Sequence, residues 1–183
     1  MITETEYAYL AGIIDGEGHI QPWVQYAAYG NSINVKVNIS NKHLGVLEWI
    51  AERWGGFVTI HRDSKGHECF QLTIASKQLT EMFRGILPYS IIKKTEVAAS
   101  LRIRELIESN PSRNKVDLKS KLERAELGIA IIDGTRSRSS VERPSKFYDS
   151  MVEIRDEIRQ ILQDEKGGGM ADEETSSFTA SGD

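Results

Sequence analysis

Residues Leu10 to Gly18 read LAGIIDGEG, and this run constrains the chain more than any other. Just upstream, Thr3 and Glu6 give the T-x-x-E pattern of a capping box. The spacing therefore predicts a helix that starts at Glu4 and carries Tyr7, Leu10, Ala11 and Ile14. Ala8, Ala11 and Gly12 recur at helical spacing, and a face with almost no side chain lets a second helix approach closely. Asp15 and Glu17 then sit at the C-terminal end. If the second helix is a symmetry mate, two Glu17 carboxylates meet near one axis. Carboxylates crowded where the helix dipole is already negative are costly unless a cation lies between them, and a divalent metal bound to phosphate is the natural partner. The plainer alternative is an apolar helix followed by an ordinary Gly-rich turn.

The rest of the chain alternates short periodic segments. Ile20, Pro22, Val24 and Tyr26 fall on one face of a strand, with Gln21, Trp23 and Gln25 on the other. After a Gly30-Asn31 turn, Ile33, Val35, Val37 and Ile39 alternate with Asn34, Lys36, Asn38 and Ser40, which closes a hairpin. Leu44, Leu47, Ile50, Ala51 and Trp54 give a helical stripe ended by Gly55-Gly56. A second hairpin, Phe57 to Arg62 and Cys69 to Ala75, turns at Ser64-Lys65-Gly66. Leu79, Met82, Phe83 and Leu87 then mark a helix stopped near Pro88. Lys93 and Lys94 precede a further helix that ends before Asn110-Pro111, and amphipathic segments follow at Leu118 to Ile132 and Phe147 to Leu162. The order is α+β, αββαββα with added C-terminal helices.

With 183 residues the chain can bury a sizeable core. It shows no membrane span and no signal peptide, so no membrane partner is expected. The one cysteine, Cys69, permits no internal disulfide, and four scattered histidines offer no zinc set, which points to an intracellular, reducing compartment. From Asp164 to Asp183 six acids face one base, Lys166, a net of −5 that leaves the preceding residues at +1 within the whole-chain −4. This Gly/Ser/acid-rich stretch reads as a disordered tail, and a near-neutral body can still bind nucleic acid if its bases gather on one face.

Both the nine-residue run and the element order resemble the LAGLIDADG homing endonucleases. Leu10, Ala11, Gly12, Ile14, Asp15 and Gly18 match that signature letter for letter, and Glu17 keeps its second acid. The resemblance spans residues 3–108 as the core of a single domain over 1–163, with a helical part at 112–163 and the tail at 164–183. A second run, LGIAIIDGTRS at Leu127 to Ser137, echoes the motif but has Thr135 and Arg136 where the second acid and glycine belong, and no pair of hairpins follows it. The single-motif type is therefore implied: a homodimer joined through Ala8, Ala11 and Gly12 that cuts a long pseudo-palindromic double-stranded DNA site with Mg²⁺, its gene lying in an intron or intein. Mn²⁺ or Ca²⁺ are alternative occupants of such a site.

The resemblance assigns metal binding to Glu17 and to the backbone carbonyl of Gly16, and leaves Asp15 an end-of-helix hydrogen bond. It aligns Lys93 with the active-site lysine, with Lys94 competing for that role, and Asn41 with a solvent-orienting polar residue. Gly45 stands where some relatives carry a second basic residue, a departure that Lys94 or Lys42 would have to cover. The polar hairpin faces (Gln21, Trp23 and Gln25; Asn34, Lys36 and Asn38; Thr59 and His61; Gln71 and Thr73) hold side chains able to pair with base edges in the major groove. The alternative is the wet face of any one-sided sheet. Trp23 would either touch a thymine methyl or pack on a neighbouring strand. Lys65 and a flexible loop carrying Arg136 and Arg138 would contact phosphates. Two rival readings share the fold: a maturase that binds intron RNA, and a DNA-binding regulator that does not cleave.

Overall fold

Thr3 opens the first helix as a reciprocal cap. Its hydroxyl accepts from Glu6 N at 3.3 Å while the Glu6 carboxylate accepts from Thr3 N at 2.8 Å. This helix, α1, spans Glu4–Glu17 and passes into β1 without a linker, because Gly18 approaches Ile14 so closely that a Cβ there would lie 2.8 Å from Ile14 Cα. In this computed structural model the described residues are 1–26, 31–62, 66, 68–75, 77–110, 117–138 and 146–171. The elements after α1 are β1 (Gly18–Gln25), β2 (Ser32–Asn41), α2 (Leu44–Trp54), β3 (Phe57–Arg62), β4 (Glu68–Ile74), α3 (Gln78–Ile86), α4 (Lys94–Glu108), α5 (Leu118–Ser137) and α6 (Lys146–Ala171). The αββαββα order holds through α3, with α4, α5 and α6 added. Gly30, Ser64, Lys65, Pro111, Ser139, Ser140 and residues 172–183 lie outside the described residues.

The four strands form one antiparallel sheet in the order β1-β2-β4-β3. β1 pairs with β2 from Gly18↔Ile39 to Gln25↔Ser32, whereas β4 pairs only with Val37 to Asn41 of β2. Alternation sends Ile20, Val35, Val37, Ile39, Leu72 and Ile74 into the core, against Leu10, Ala11 and Ile14 of α1, Trp54 of α2, Phe83 of α3 and Val97 of α4. A second core joins Val24 and Ile33 to Ala125 and Ile129 of α5 and Met151 and Ile154 of α6. Gly128 permits that contact, since a Cβ there would lie 2.7 Å from Met151 Sδ. All of these helices pack on one face, which leaves the opposite face of the sheet polar.

The structure corrects three expectations. Ala11 is fully buried, so it does not belong to the face offered to a second helix; it lies in the Leu10 and Ile14 stripe, about 100° around the helix from Gly12. The stretch from Gly134 to Ser137 is the last turn of α5 rather than a loop. Asp117 starts that helix by accepting from Lys119 N and Ser120 N, and packing against α4 and α6 carries it through residues whose composition reads as loop. Helix α6 runs to Ala171, past the expected start of the tail at Asp164, and Gln160 donates to Asp164 at 2.9 Å across the turn where the tail was expected to begin. Among the described residues no helix is long and apolar enough to cross a membrane.

The Thr3 amide, and after it Arg53 at 2.7 Å, hold the Glu6 carboxyl at about 2 against an ordinary 4.5. A depressed folded-state value means that this stabilisation is complete above pH 4.5 and is lost as the pH falls toward 2. Urea unfolding at stepped pH is expected to show a steeper loss of stability across that window in the wild type than in Glu6→Gln. Equal slopes would remove the charge from the account of α1.

Candidate functional site

The C-terminus of α1 and the N-terminus of α4 exchange opposite charges. Asp15 accepts three backbone N–H groups, from Ile91 at 2.7 Å, Ile92 at 3.0 Å and Lys93 at 3.0 Å, and so caps the segment that opens α4. In return the Lys93 ammonium donates to Ile14 O at 2.7 Å and Asp15 O at 2.6 Å, the carbonyls at the negative end of α1. Partial burial alone would raise the Asp15 carboxyl, but the three amides outweigh it and hold it below the ordinary aspartate value. Desolvation, then the charge of Arg138, pushes the Lys93 ammonium down, opposed by Asp15, Glu96 and Glu17. Two of its three donors are engaged on α1, so the third can point away from the helix. Lys94, one residue on, is exposed.

Glu17 ends α1 and is exposed, and it lies in the electrostatic field of Lys93. Lys93 covers the two carbonyls before Gly16, so the Gly16 carbonyl is the next oxygen along. Oxygen donors of this kind suit Mg²⁺ or Ca²⁺, but among the described residues no three His, Cys, Asp or Glu side chains cluster, and one chain brings a single carboxylate here. The exposed stripe on α1 is Ala8, Gly12 and Gly16, and a Cβ at either glycine would meet nothing within 4 Å. Beside it stand three apolar side chains at unusual exposure: Tyr9 at 56 %, Ile91 at 86 % and Ile92 at 57 %.

The register places Gln21 opposite Lys36, Trp23 opposite Asn34, Gln25 opposite Ser32, and Asn38 between His19 and Thr73. Thr59 pairs with Gln71, and His61 with Cys69. All the described residues singled out in the hairpins thus share the polar face. Several are already tied together: Asn38 Nδ2 donates to Gln21 Oε1 at 3.2 Å, Thr73 Oγ1 donates to Asn38 Oδ1 at 2.9 Å, and Thr59 Oγ1 meets His61 Nε2 at 3.1 Å. Asn34 Oδ1 accepts from Arg104 of α4 at 3.4 Å. Trp23 is half-buried, and its indole N–H is buried with no hydrogen-bond partner among the described residues, so it packs against the sheet rather than standing free. Asn41 sits at the end of β2, where its side-chain oxygen accepts from His43 N at 2.8 Å and shapes the entry to α2, leaving its amide nitrogen as the group it can offer elsewhere.

The two arginines expected on a flexible loop are both anchored. The Arg136 guanidinium stacks 4.3 Å from the centre of the Tyr148 ring of α6, and its buried Nε has no hydrogen-bond partner among the described residues. Arg138 forms an ion pair with Glu96, a side chain only 2 % exposed. Two further residues belong here. His19 lies on the polar face two residues after Glu17; desolvation, then the charges of Lys93 and Lys36, hold its ring below the ordinary histidine value. Its phase with Gln21 was the available signal. Glu96 gave none, since an acid in the first turn of a helix reads as a complement to the dipole.

No protein-family model and no curated protein matches the sequence. Solved structures do. The homing endonuclease I-CvuI, in complex with its target, superposes with a TM-score of 0.63 at 16 % identity, over 85 % of this chain and 95 % of that one. The archaeal intron-encoded homing endonuclease I-Vdi141I, complexed with DNA, gives 0.63 at 14 %, over 86 % and 98 %. The LAGLIDADG homing endonuclease I-SmaMI, bound to cleaved DNA, gives 0.52 at 19 %, over 79 % of this chain but 51 % of that one. The chain has the LAGLIDADG homing endonuclease fold.

Replacing Asp15 with alanine strands three amides at the start of α4. A loss of about 0.5–2 kcal/mol in urea unfolding is expected, that of a lost helix cap. Asp15→Asn, which keeps an acceptor oxygen, should lose less. An alanine variant as stable as wild type would show that the exchange contributes no stability.

Proposed function

We propose that this protein is a site-specific DNA endonuclease that acts as a homodimer on a long, nearly two-fold symmetric duplex and requires a divalent metal. The observation that carries the reading is Glu17, an exposed carboxylate at the end of a helix whose outer stripe is Ala8, Gly12 and Gly16. A stripe without side chains lets two copies of α1 cross closely, which brings two Glu17 carboxylates together and supplies the second acid that one chain lacks. Tyr9, Ile91 and Ile92 would be covered in the same contact. The match to about half of I-SmaMI supports a chain that is one half of a complete site.

In this reading Glu17 and the Gly16 carbonyl of each copy hold Mg²⁺. When bound, the metal supplies Lewis-acid stabilisation of the phosphorane charge and an acidified water. The chain's own groups do the rest. Lys93, fixed on α1, presents a cation beside the carboxylate, and the amide nitrogen of Asn41 orients solvent near the end of β2. Gln21, Gln25, Lys36, Asn38, Gln71 and Thr73 face the base edges, with Asn34, Thr59 and His61 beside them.

A plasmid library of long candidate sites, incubated with Mg²⁺, should yield discrete double-strand cuts that disappear without metal. Glu17→Gln should cut at least about 10³-fold more slowly while still binding the selected site, because it removes the metal-binding charge and little shape. A variant that cuts at the wild-type rate would overturn the assignment. Selective binding to DNA or to a structured intron RNA without any cutting would support a regulator or a maturase instead. Gly12→Leu, which meets open space within one chain, should leave folding intact and convert the dimer to monomer in sedimentation equilibrium. An unchanged mass would remove α1 as the interface.

A further inference from the structure

Glu96 is a buried carboxylate that the proposed chemistry does not use. It lies in the first turn of α4, one turn after Lys93, where Val97 N donates to Lys93 O at 2.9 Å. A charge so deeply buried needs a partner, and among the described residues its ion-pair partner is the guanidinium of Arg138 at the end of α5, a contact of charges in which neither carboxylate oxygen is hydrogen-bonded. The contact is built by both helices. A Cβ at position 134 would lie 2.5 Å from Glu96 Oε1 and 3.2 Å from its Cδ, so any larger residue there would push the carboxylate aside.

Arg138 is held on one side and open on the other, with its side chain 33 % exposed. Its ion-pair partner lies one turn after Lys93 on α4, and its charge lowers the ammonium more than any influence except desolvation. We infer that Arg138, held by Glu96 across the α4–α5 contact, is a second cation of the cleavage site and acts with Lys93 on the same phosphodiester. Glu96 is its positioning residue. The inference rests on the endonuclease reading above. Gly45, at the start of α2, brings no charge to the site, and the cation comes instead from α5. A helix end fixed by an ion pair also aims the guanidinium better than a flexible loop would, so less freedom is lost when phosphate arrives.

The test is single-turnover cleavage of the selected site in Mg²⁺, with binding to the same duplex measured in Ca²⁺. Arg138→Ala is expected to slow cleavage about 10²-fold and weaken binding less than about 10-fold, since the interaction is realised mainly in the transition state. Arg138→Lys should recover part of the rate. Glu96→Gln should slow cleavage about 10-fold through loss of aim, with binding unchanged. Arg138→Ala alone leaves Glu96 unpaired, so the double variant Glu96→Gln/Arg138→Ala, which leaves no buried charge, is the control for folding and should cut as slowly as Arg138→Ala. Cleavage by the double variant at the wild-type rate, or a rate loss matched by an equal loss of binding, would overturn the role of Arg138. If those variants cut normally while Glu17→Gln is dead, only this inference fails. A wild-type protein that cuts nothing overturns the endonuclease reading itself.

Discussion

The crossed contact between the end of α1 and the start of α4 fixes the geometry of everything around it. A helix C-terminus is short of donors and a helix N-terminus is short of acceptors, and here each is supplied by a side chain from the other helix. Asp15 brings negative charge to the positive end of α4, and Lys93 brings positive charge to the negative end of α1. Dipole contacts of this type contribute about 0.3–1 kcal/mol each at an exposed surface and up to about 2 when partly buried. The geometric consequence matters more. The lysine is held through backbone carbonyls, so its position follows the helix axis instead of a rotamer chosen in solvent.

The same contact explains why two carboxylates two residues apart have opposite fates. On a helix that spacing turns a side chain by about 200°, so when Asp15 faces α4, Glu17 faces away. Asp15 is consumed by three amides, whereas Glu17 stands exposed at the point where α1 becomes β1. Gly18 makes that junction abrupt, which keeps Glu17 level with the polar face of the sheet, next to His19. An exposed acid beside a half-buried lysine and an open stripe of small residues is an incomplete arrangement in one chain. A second copy supplies the missing half by symmetry, without new residue types.

Much of the fold was legible because its signals are local. The Thr3–Glu6 box, the strict alternation in β1 and β2 and the Gly55-Gly56 stop each act within a few residues, and all are present. Asp15 as a hydrogen-bond acceptor was legible too, though the amides it takes belong to α4 and not to its own helix. The misreadings concern what tertiary packing decides. Small-residue spacing alone could not say whether Ala11 sided with Gly12 or with Leu10. Gly134 to Ser140 has the composition of a loop, yet Gly134 is there to clear Glu96, and Arg136 to stack on Tyr148, so helix geometry survives as far as Ser137. Contacts between residues some 40 apart, such as Glu96 with Arg138, leave no trace in periodicity.

The charge balance of the chain then becomes intelligible. A whole-molecule charge of −4 argues against a polyanionic ligand only if charge is spread evenly, and it is not. Lys36 and Lys93 both act on His19, Arg138 acts in turn on Lys93 at the end of α1, and the acid that balances Arg138 is buried. Away from that cluster the polar face is made of amides and hydroxyls already bonded to one another, Gln21 to Asn38 to Thr73 across three strands. Side chains held in such a chain lose less freedom when they bind but exchange internal hydrogen bonds for bonds to the ligand, so their contribution to discrimination is large. A mismatched partner must break internal bonds without replacing them. For the duplex proposed here, attraction would thus come from the cluster at the end of α1, and selectivity from the bonded amides of the sheet.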